Sequence, residues 1–505
     1  MRKNRGLLFL PAVALFSCGS WKFDYVPYQY GKLQEDPFAR KRHDGYYLAG
    51  DFSKIETTLG EFDPTMASLL SIGGNRKAAV STGEVNLTVI PVEFSDYTAD
   101  VLEQTHGGQA IDMIRGAFFG AESNNQYVSV AEFFASSSYD HLHLTGEVVP
   151  SWFRPKETLA ELKSKHSSSA TKSALTSIYN QAIDWYNARG GEKTLTAGDP
   201  IHFVYCAPYS GYEGGVSDRA SMLWAFTINE PAPAAWSSFF MGHPNQNKMD
   251  AHTFIHETGH LFGLKDYYDT NAVTDFSSIS PLGRMDMMDC SLGDHNAFSK
   301  MTLNWARPYV PTKDCVITLR QSVGNGDSIL LSPSWGGSPF EEYLLLEFYT
   351  PSGLNRVDTY LRDDPSMRLM NKAGVKVYHV DARLGVFEER KTTPIGFLKK
   401  DSDLTGKLVD FYQNNSSSSS QYLINLLDAS ASSSKLVRGY VASDHIEARG
   451  NVNLRDVLFQ EGDGTESAVF KDFTFHDGRE MNFDFKVTEV GATYAKVSVT
   501  VKGVQ

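Results

Sequence analysis

Residues 252 to 269 read His252-Thr-Phe-Ile-His256-Glu257-Thr-Gly-His260-Leu-Phe-Gly263-Leu-Lys-Asp266-Tyr-Tyr-Asp269, and within them lies H-E-x-x-H. On a helix, residues four apart share a face about one turn apart, so the imidazoles of His256 and His260 can converge on one metal ion. Glu257 sits one residue round, where its carboxylate can reach a water activated by that ion without binding the ion itself. Two neutral nitrogens and a spare base are what a hydrolytic zinc site needs. With 14 histidines in 505 residues, the bare motif arises by chance in roughly a few per cent of chains this long. With Gly263 and Asp266 in step, the odds fall to the order of one in ten thousand. A helix whose histidines merely pack in a core is therefore the weaker reading.

A third ligand must come from beyond the helix, because three on one straight face would spread along its axis. Gly263, one turn after His260, is free to take a positive φ and turn the chain back. Asp266 follows and can present a carboxylate oxygen at about 2.0–2.2 Å from zinc. The competing layout puts a glutamate ligand on a second helix, and it fails because no glutamate occurs between Glu257 and Glu341. Asp269, Asp286 and Asp289 are the less favoured ligands. His252 is on the same face but about 12 Å along the axis from His260, so it is a neighbour of the site and not part of it.

The stretch from His256 to Asp269 resembles the zinc signature of the immune inhibitor A family, metzincin-like bacterial metallopeptidases with Asp as third ligand. Ser129-Val-Ala-Glu-Phe-Phe-Ala-Ser-Ser-Ser-Tyr139, then His143-Leu-Thr-Gly146-Glu-Val, is similar to the family's segment before the active site. Asp286-Met287-Met288-Asp289 resembles its Met-turn, and Asp294 to Lys300 through Leu303-Asn-Trp305 the helix that follows. The resemblance covers residues 85 to 310 well and the rest loosely. It implies an α+β architecture, with a metzincin-like catalytic domain built from a mixed twisted sheet and an active-site helix. It implies one catalytic Zn2+ and, as a structural ion, Ca2+. No D-x-D-x-D-G loop occurs, so no calcium ligand is assigned.

In metzincins a methionine-bearing turn lies beneath the zinc site, where a flexible thioether suits an irregular gap. The match favours Met288 for that place, with the adjacent Met287 as the alternative and an ordinary core methionine as the bland reading. No tyrosine follows closely, so no fifth ligand or oxyanion donor is assigned there. Metzincins also bind substrate along the edge strand that precedes the active-site helix. Ser221 to Thr227 occupies the matching place in chain order, with a plain core strand as an equal alternative.

Around the motif, Asn86-Leu-Thr-Val-Ile-Pro-Val-Glu-Phe94 reads as a buried strand opening the catalytic domain. Ile201 to Cys206 and Ser221 to Phe226 read as further strands, and 110–120, 156–190 and 247–263 as helices. We expect the catalytic domain to span 81–311 and a β-rich, sandwich-like C-terminal module to span 312–505. The latter rests on short alternating runs: Ser328 to Leu331, Tyr343 to Phe348, Gly374 to Val380 and Tyr494 to Val501. Ser416 to Ser420 and Ser430 to Ser434 read as surface loops or a linker. His379, near Asp381, reads as a core histidine.

At the N-terminus, Met1-Arg-Lys-Asn-Arg5 is basic, Gly6 to Phe16 is apolar, and Leu15-Phe-Ser-Cys18-Gly resembles a bacterial lipobox. Residues 1–18 therefore read as a signal peptide ending in a lipidated Cys18, too short to span a bilayer stably. Membrane contact is expected only through that anchor, at the outer face of a bacterial membrane. A soluble secreted protein is the alternative. Residues 19–80 are weakly patterned and read as a stalk or a pro-segment. Removing the signal takes away Arg2, Lys3 and Arg5, so the net charge of −13 becomes −16. That acidity argues against a nucleic-acid partner. Three cysteines then remain, Cys206, Cys290 and Cys315, which allows one disulfide and excludes a disulfide scaffold.

The expected function is that of an exported zinc endopeptidase, monomeric and acting on protein or peptide substrates. Zinc on His256, His260 and Asp266 would activate water, with Glu257 as general base. A surface lipoprotein that keeps the fold for binding or adhesion is the rival reading, and a zinc hydrolase for another amide or ester is a second.

Overall fold

In the computed structural model the described residues are 45–49, 79–121, 125–164, 169–190, 193–208, 225–228, 234–244, 248–268, 281–337, 339–361, 368–387, 396–397, 407–410, 412–414, 421–429 and 457–502. The signal segment with Cys18, most of the expected stalk, Asp269 and both serine-rich stretches lie outside them. In the first half, strands β1 (Tyr46–Leu48) and β2 (Gly83–Val92) precede helices α1 (Asp100–Thr105), α2 (Ala110–Phe119) and α3 (Val130–Ser137). Then come β3 (Leu142–Val148), α4 (Leu159–Ser164), α5 (Ser169–Ala188), β4 (Ile201–Tyr205), β5 (Phe226–Ile228) and β6 (Ala234–Ser238). Helices α6 (His252–Leu261), α7 (Met287–Cys290) and α8 (Ala297–Thr302) lead into the β-rich half. The chain is thus mixed α+β, as expected.

The first sheet has the order β3-β2-β4-β6-β5. Four of its strands run parallel, and β5 lies antiparallel on β6 at the edge. β2 is a continuous apolar run because both its faces are covered. Leu87 and Val89 join one buried cluster with α2, α3 and α6, while Ile90 and Val92 join another with α5. The strand begins at Gly83 and ends at Val92, three residues earlier at its start than the sequence pattern suggests. The edge strand is Phe226–Ile228; residues 221–224 of the expected strand lie outside the described residues.

The second half contributes β7 (Tyr309–Pro311), β8 (Cys315–Arg320), β9 (Ser328–Leu331), β10 (Glu342–Tyr349), helix α9 (Arg356–Tyr360) and β11 (Gly374–Asp381). After these come β12 (Leu384–Phe387), β13 (Gly396–Phe397), β14 (Lys407–Asp410), β15 (Ile424–Leu426), β16 (Phe483–Val490) and β17 (Tyr494–Val501). A six-stranded sheet runs β1-β7-β9-β10-β11-β15, beside three-stranded sheets β16-β17-β8 and β13-β12-β14. β10 is buried along its whole length because its alternating side chains enter two cores. Leu344, Leu346 and Phe348 pack with Phe483, Phe485 and Val497 of β16 and β17. Tyr343, Leu345 and Tyr349 join the cluster that holds Phe254 and Ile255 of α6. One hydrophobic cluster therefore runs from α6 into the six-stranded sheet.

β1 comes from the stretch read as a stalk or pro-segment. It pairs antiparallel with β7, Tyr47 opposite Val310, as the edge of the six-stranded sheet. Among the described residues no disulfide joins Cys206, Cys290 or Cys315. Burial pushes the Cys206 thiol up to about 12 and leaves it an inert core group.

Candidate metal centre

α6 begins at His252 and ends at Leu261, shorter at both ends than 247–263. Asp250 explains the start: its Oδ1 accepts the His252 backbone N–H at 3.0 Å, satisfying a donor that the helix leaves unpaired. Gly263 explains the end, with φ of +89°, a conformation that costs glycine little. The chain then turns back, and Asp266 Oδ1 lies 3.0 Å from His256 Nε2 and 3.3 Å from His260 Nε2. The ligand atoms of all three residues lie within 4.8 Å of one another.

The hydrogen bonds on the far side of each ring decide what this cluster can hold. His256 Nδ1 donates to the Met287 carbonyl at 2.8 Å, and His260 Nδ1 to the Leu264 carbonyl at 2.7 Å. A carbonyl only accepts, so Nδ1 carries the proton in each neutral ring and Nε2 presents a lone pair. Two lone pairs and a carboxylate oxygen then face one another, all acceptors. Such a set is stable only with a cation or extra protons between its members. Protons alone would serve at a cost in burial. Burial disfavours a charged His260 ring, yet Asp266, Glu257 and the Leu264 carbonyl outweigh it and raise the ring to about 9. Burial works against Asp266 in the same way, and the two rings still hold its carboxyl far below the usual range. The donor set of two imidazoles and one carboxylate fits a divalent ion of the zinc class. Outer hydrogen bonds to carbonyls fix ligand orientation as such a centre requires.

Glu257 lies beside this set and is buried. Burial, with Asp266 adding to it, raises its carboxyl, against the nearby rings and a hydrogen bond from Thr227. Thr227, on edge strand β5, donates from Oγ1 to Glu257 Oε2 at 3.1 Å. His202 ties the helix to the sheet: Nδ1 is 3.1 Å from Thr258 Oγ1 and Nε2 is 2.9 Å from Ser237 Oγ. Burial lowers His202 to about 3, so it serves as a neutral strut.

Both methionines of the expected Met-turn are fully buried, on the single turn α7. Met288 Sδ lies 2.8 Å from where a Cβ on Gly259 would stand, so the thioether rests against α6 between the two histidines and would have to shift for any larger residue there. Met287 supplies the carbonyl for His256. Asp286 and Asp289 are turned to other work. Asp286 accepts from the backbone N–H groups of Met288 at 2.7 Å and Asn296 at 2.8 Å, and Asp289 from that of Arg284 at 2.7 Å. His252 also stands apart, its Nε2 3.0 Å from Asp358 Oδ2 and its Nδ1 against Asp250.

The structure thus brings together His256, Glu257, His260, Asp266 and Met288. Thr227 and His202 escaped the sequence reading, because each reaches the site across the sheet from an unremarkable local pattern. Among the described residues one other grouping could hold a metal ion, Glu342 with His379 and His476. No protein-family model matches the chain, and no curated protein matches it.

Proposed function

We propose that this chain is an extracytoplasmic zinc-dependent endopeptidase, metzincin-like in its catalytic half and braced by a sandwich-like C-terminal module. The observation that carries the reading is an acceptor-only cluster of His256, His260 and Asp266 with the unliganded carboxylate of Glu257 beside it. Zinc held by the three would polarise a scissile carbonyl and acidify a water. Glu257 takes the proton of the attacking water and delivers it to the leaving nitrogen. Thr227 holds the Glu257 carboxylate from the edge strand, where a substrate backbone could add as a further strand. An N-terminal lipid on Cys18 would keep this chemistry at the outer face of a bacterial membrane.

The test compares purified protein with a Glu257→Gln variant, measuring bound zinc and cleavage of denatured casein with and without a chelator. Stoichiometric zinc in both proteins, with cleavage lost to the variant and to the chelator, is expected. Zinc without cleavage in the unsubstituted protein would overturn the reading in favour of a binding module.

A further inference from the structure

We propose that Glu342, His379 and His476 form a second site for a divalent transition ion, zinc by its donor set, with a structural role. The residues arrive from three separate places. Glu342 opens β10, His379 lies on β11 opposite Leu344, and His476 belongs to the loop before β16. Their ligand atoms lie within 4.8 Å of one another. His379 Nε2 is 2.9 Å from Glu342 Oε1, and His476 Nδ1 is 3.9 Å from the same oxygen and 2.9 Å from Asp381 Oδ2. The two rings meet edge to face with centroids 4.5 Å apart.

Charge is the second, independent observation. Glu342 and Asp381 are both fully buried. Among the described residues Arg383 is the guanidinium that faces them: it donates to Asp381 from Nε at 2.8 Å and from a terminal nitrogen at 2.7 Å, and stands 3.5 Å from Glu342 Oε2. Asp477 pairs with Arg479 at 2.5 Å and also lies 3.9 Å from Arg383. Two buried carboxylates thus share one guanidinium, and Glu342 is otherwise held by the backbone N–H groups of His476 and Asp477 and by His379, a setting in which a further cation is favoured. A cation seated between the imidazole nitrogens and Glu342 would lie against both carboxylates, displacing the proton that His476 Nδ1 otherwise donates to Asp381.

The chemistry of the donors names the ion. Calcium takes oxygen ligands only, whereas two imidazoles with carboxylate suit zinc and its neighbours. Arg383 would go on holding the Asp381 carboxylate beside the ion. The site would clasp the loop carrying Phe473 and Phe475, which pack into the core shared by β10, β11, β16 and β17. This proposal rests on its own residues and not on the peptidase reading.

The experiment uses the full chain with His256→Ala and His260→Ala, which removes the first centre, and measures bound zinc and the thermal midpoint with and without added zinc. About one zinc per chain and a zinc-dependent rise of several degrees are expected. Adding His476→Asn should abolish both. If the parent variant does not fold, zinc is counted in the unsubstituted protein and in His476→Asn alone: two ions falling to one supports the site. A folded double variant without zinc, or a count that His476→Asn leaves unchanged, would overturn it.

Discussion

Thr227 makes the most specific contact with Glu257, a hydroxyl donated to one carboxylate oxygen at 3.1 Å. A hydrogen bond to a charged group contributes about 1.5–3 kcal/mol, so Thr227→Val should lower kcat/KM by roughly ten-fold or more with zinc content unchanged. Thr227→Ser should restore most of the loss. Full activity in the valine variant would remove Thr227 from the machinery. His252 yields a prediction of another kind. Burial disfavours its charged ring, but Asp250 and Asp358 more than compensate and raise it to about 9. The folded value lies above the unfolded one of about 6.5. The ion pairs therefore contribute stability that is fully present below about pH 6.5 and is lost as pH rises through 9. Urea unfolding from pH 6 to 10 should register a loss on the order of a few kcal/mol, absent in His252→Gln. The four residues of the first centre were legible because they fall within eleven positions governed by helix geometry. Thr227 and Asp358 were not, since nothing in a local pattern tells a strand hydroxyl or a distant carboxylate what it will face.

At the scale of elements, the contact between α6 and α7 turns on Gly259. An alanine there would gain about 1 kcal/mol of helix propensity, offset by about 1–3 kcal/mol of overpacking against Met288. Gly259→Ala should therefore change the melting temperature little, yet displace the thioether beneath His256 and His260. Zinc affinity, read by competition with a chromogenic chelator, should fall, and Met288→Ala added to it should recover part of the loss. Additive effects in the double variant would mean that the two residues do not communicate. Helix and strand positions were readable from apolar spacing, and the ends were not. The start of α6 is fixed by Asp250, and β2 extends back to Gly83 through pairing with β3 and not through its own composition.

For the whole molecule, the change to β-rich texture after residue 312 was plain in the sequence, whereas the continuity of the core across it was not. A pattern reports which side chains are apolar, not which partner covers them, and β10 is apolar on both faces. Tyr343, Leu345 and Tyr378 pack in the cluster that contains Phe254 and Ile255. A chain ending at residue 311 should thus expose that cluster and fail to fold, recognisable by aggregation or by dye binding without a cooperative melt. A soluble fragment with a sharp melt would argue that the residues before 312 fold alone. The pairing of Tyr47 with Val310 bears on a different matter, the order in which the molecule assembles. A ribosome delivers β1 at the outset, yet its hydrogen-bonding partner is synthesised about 260 residues later and the sheet beyond it later still. Such distant pairing is slow to close, and the segment must wait unpaired while about half of the 505 residues are synthesised. Any factor that holds the chain unfolded would keep β1 waiting on the near side of that step, and the seam between β1 and β7 would close late and open early.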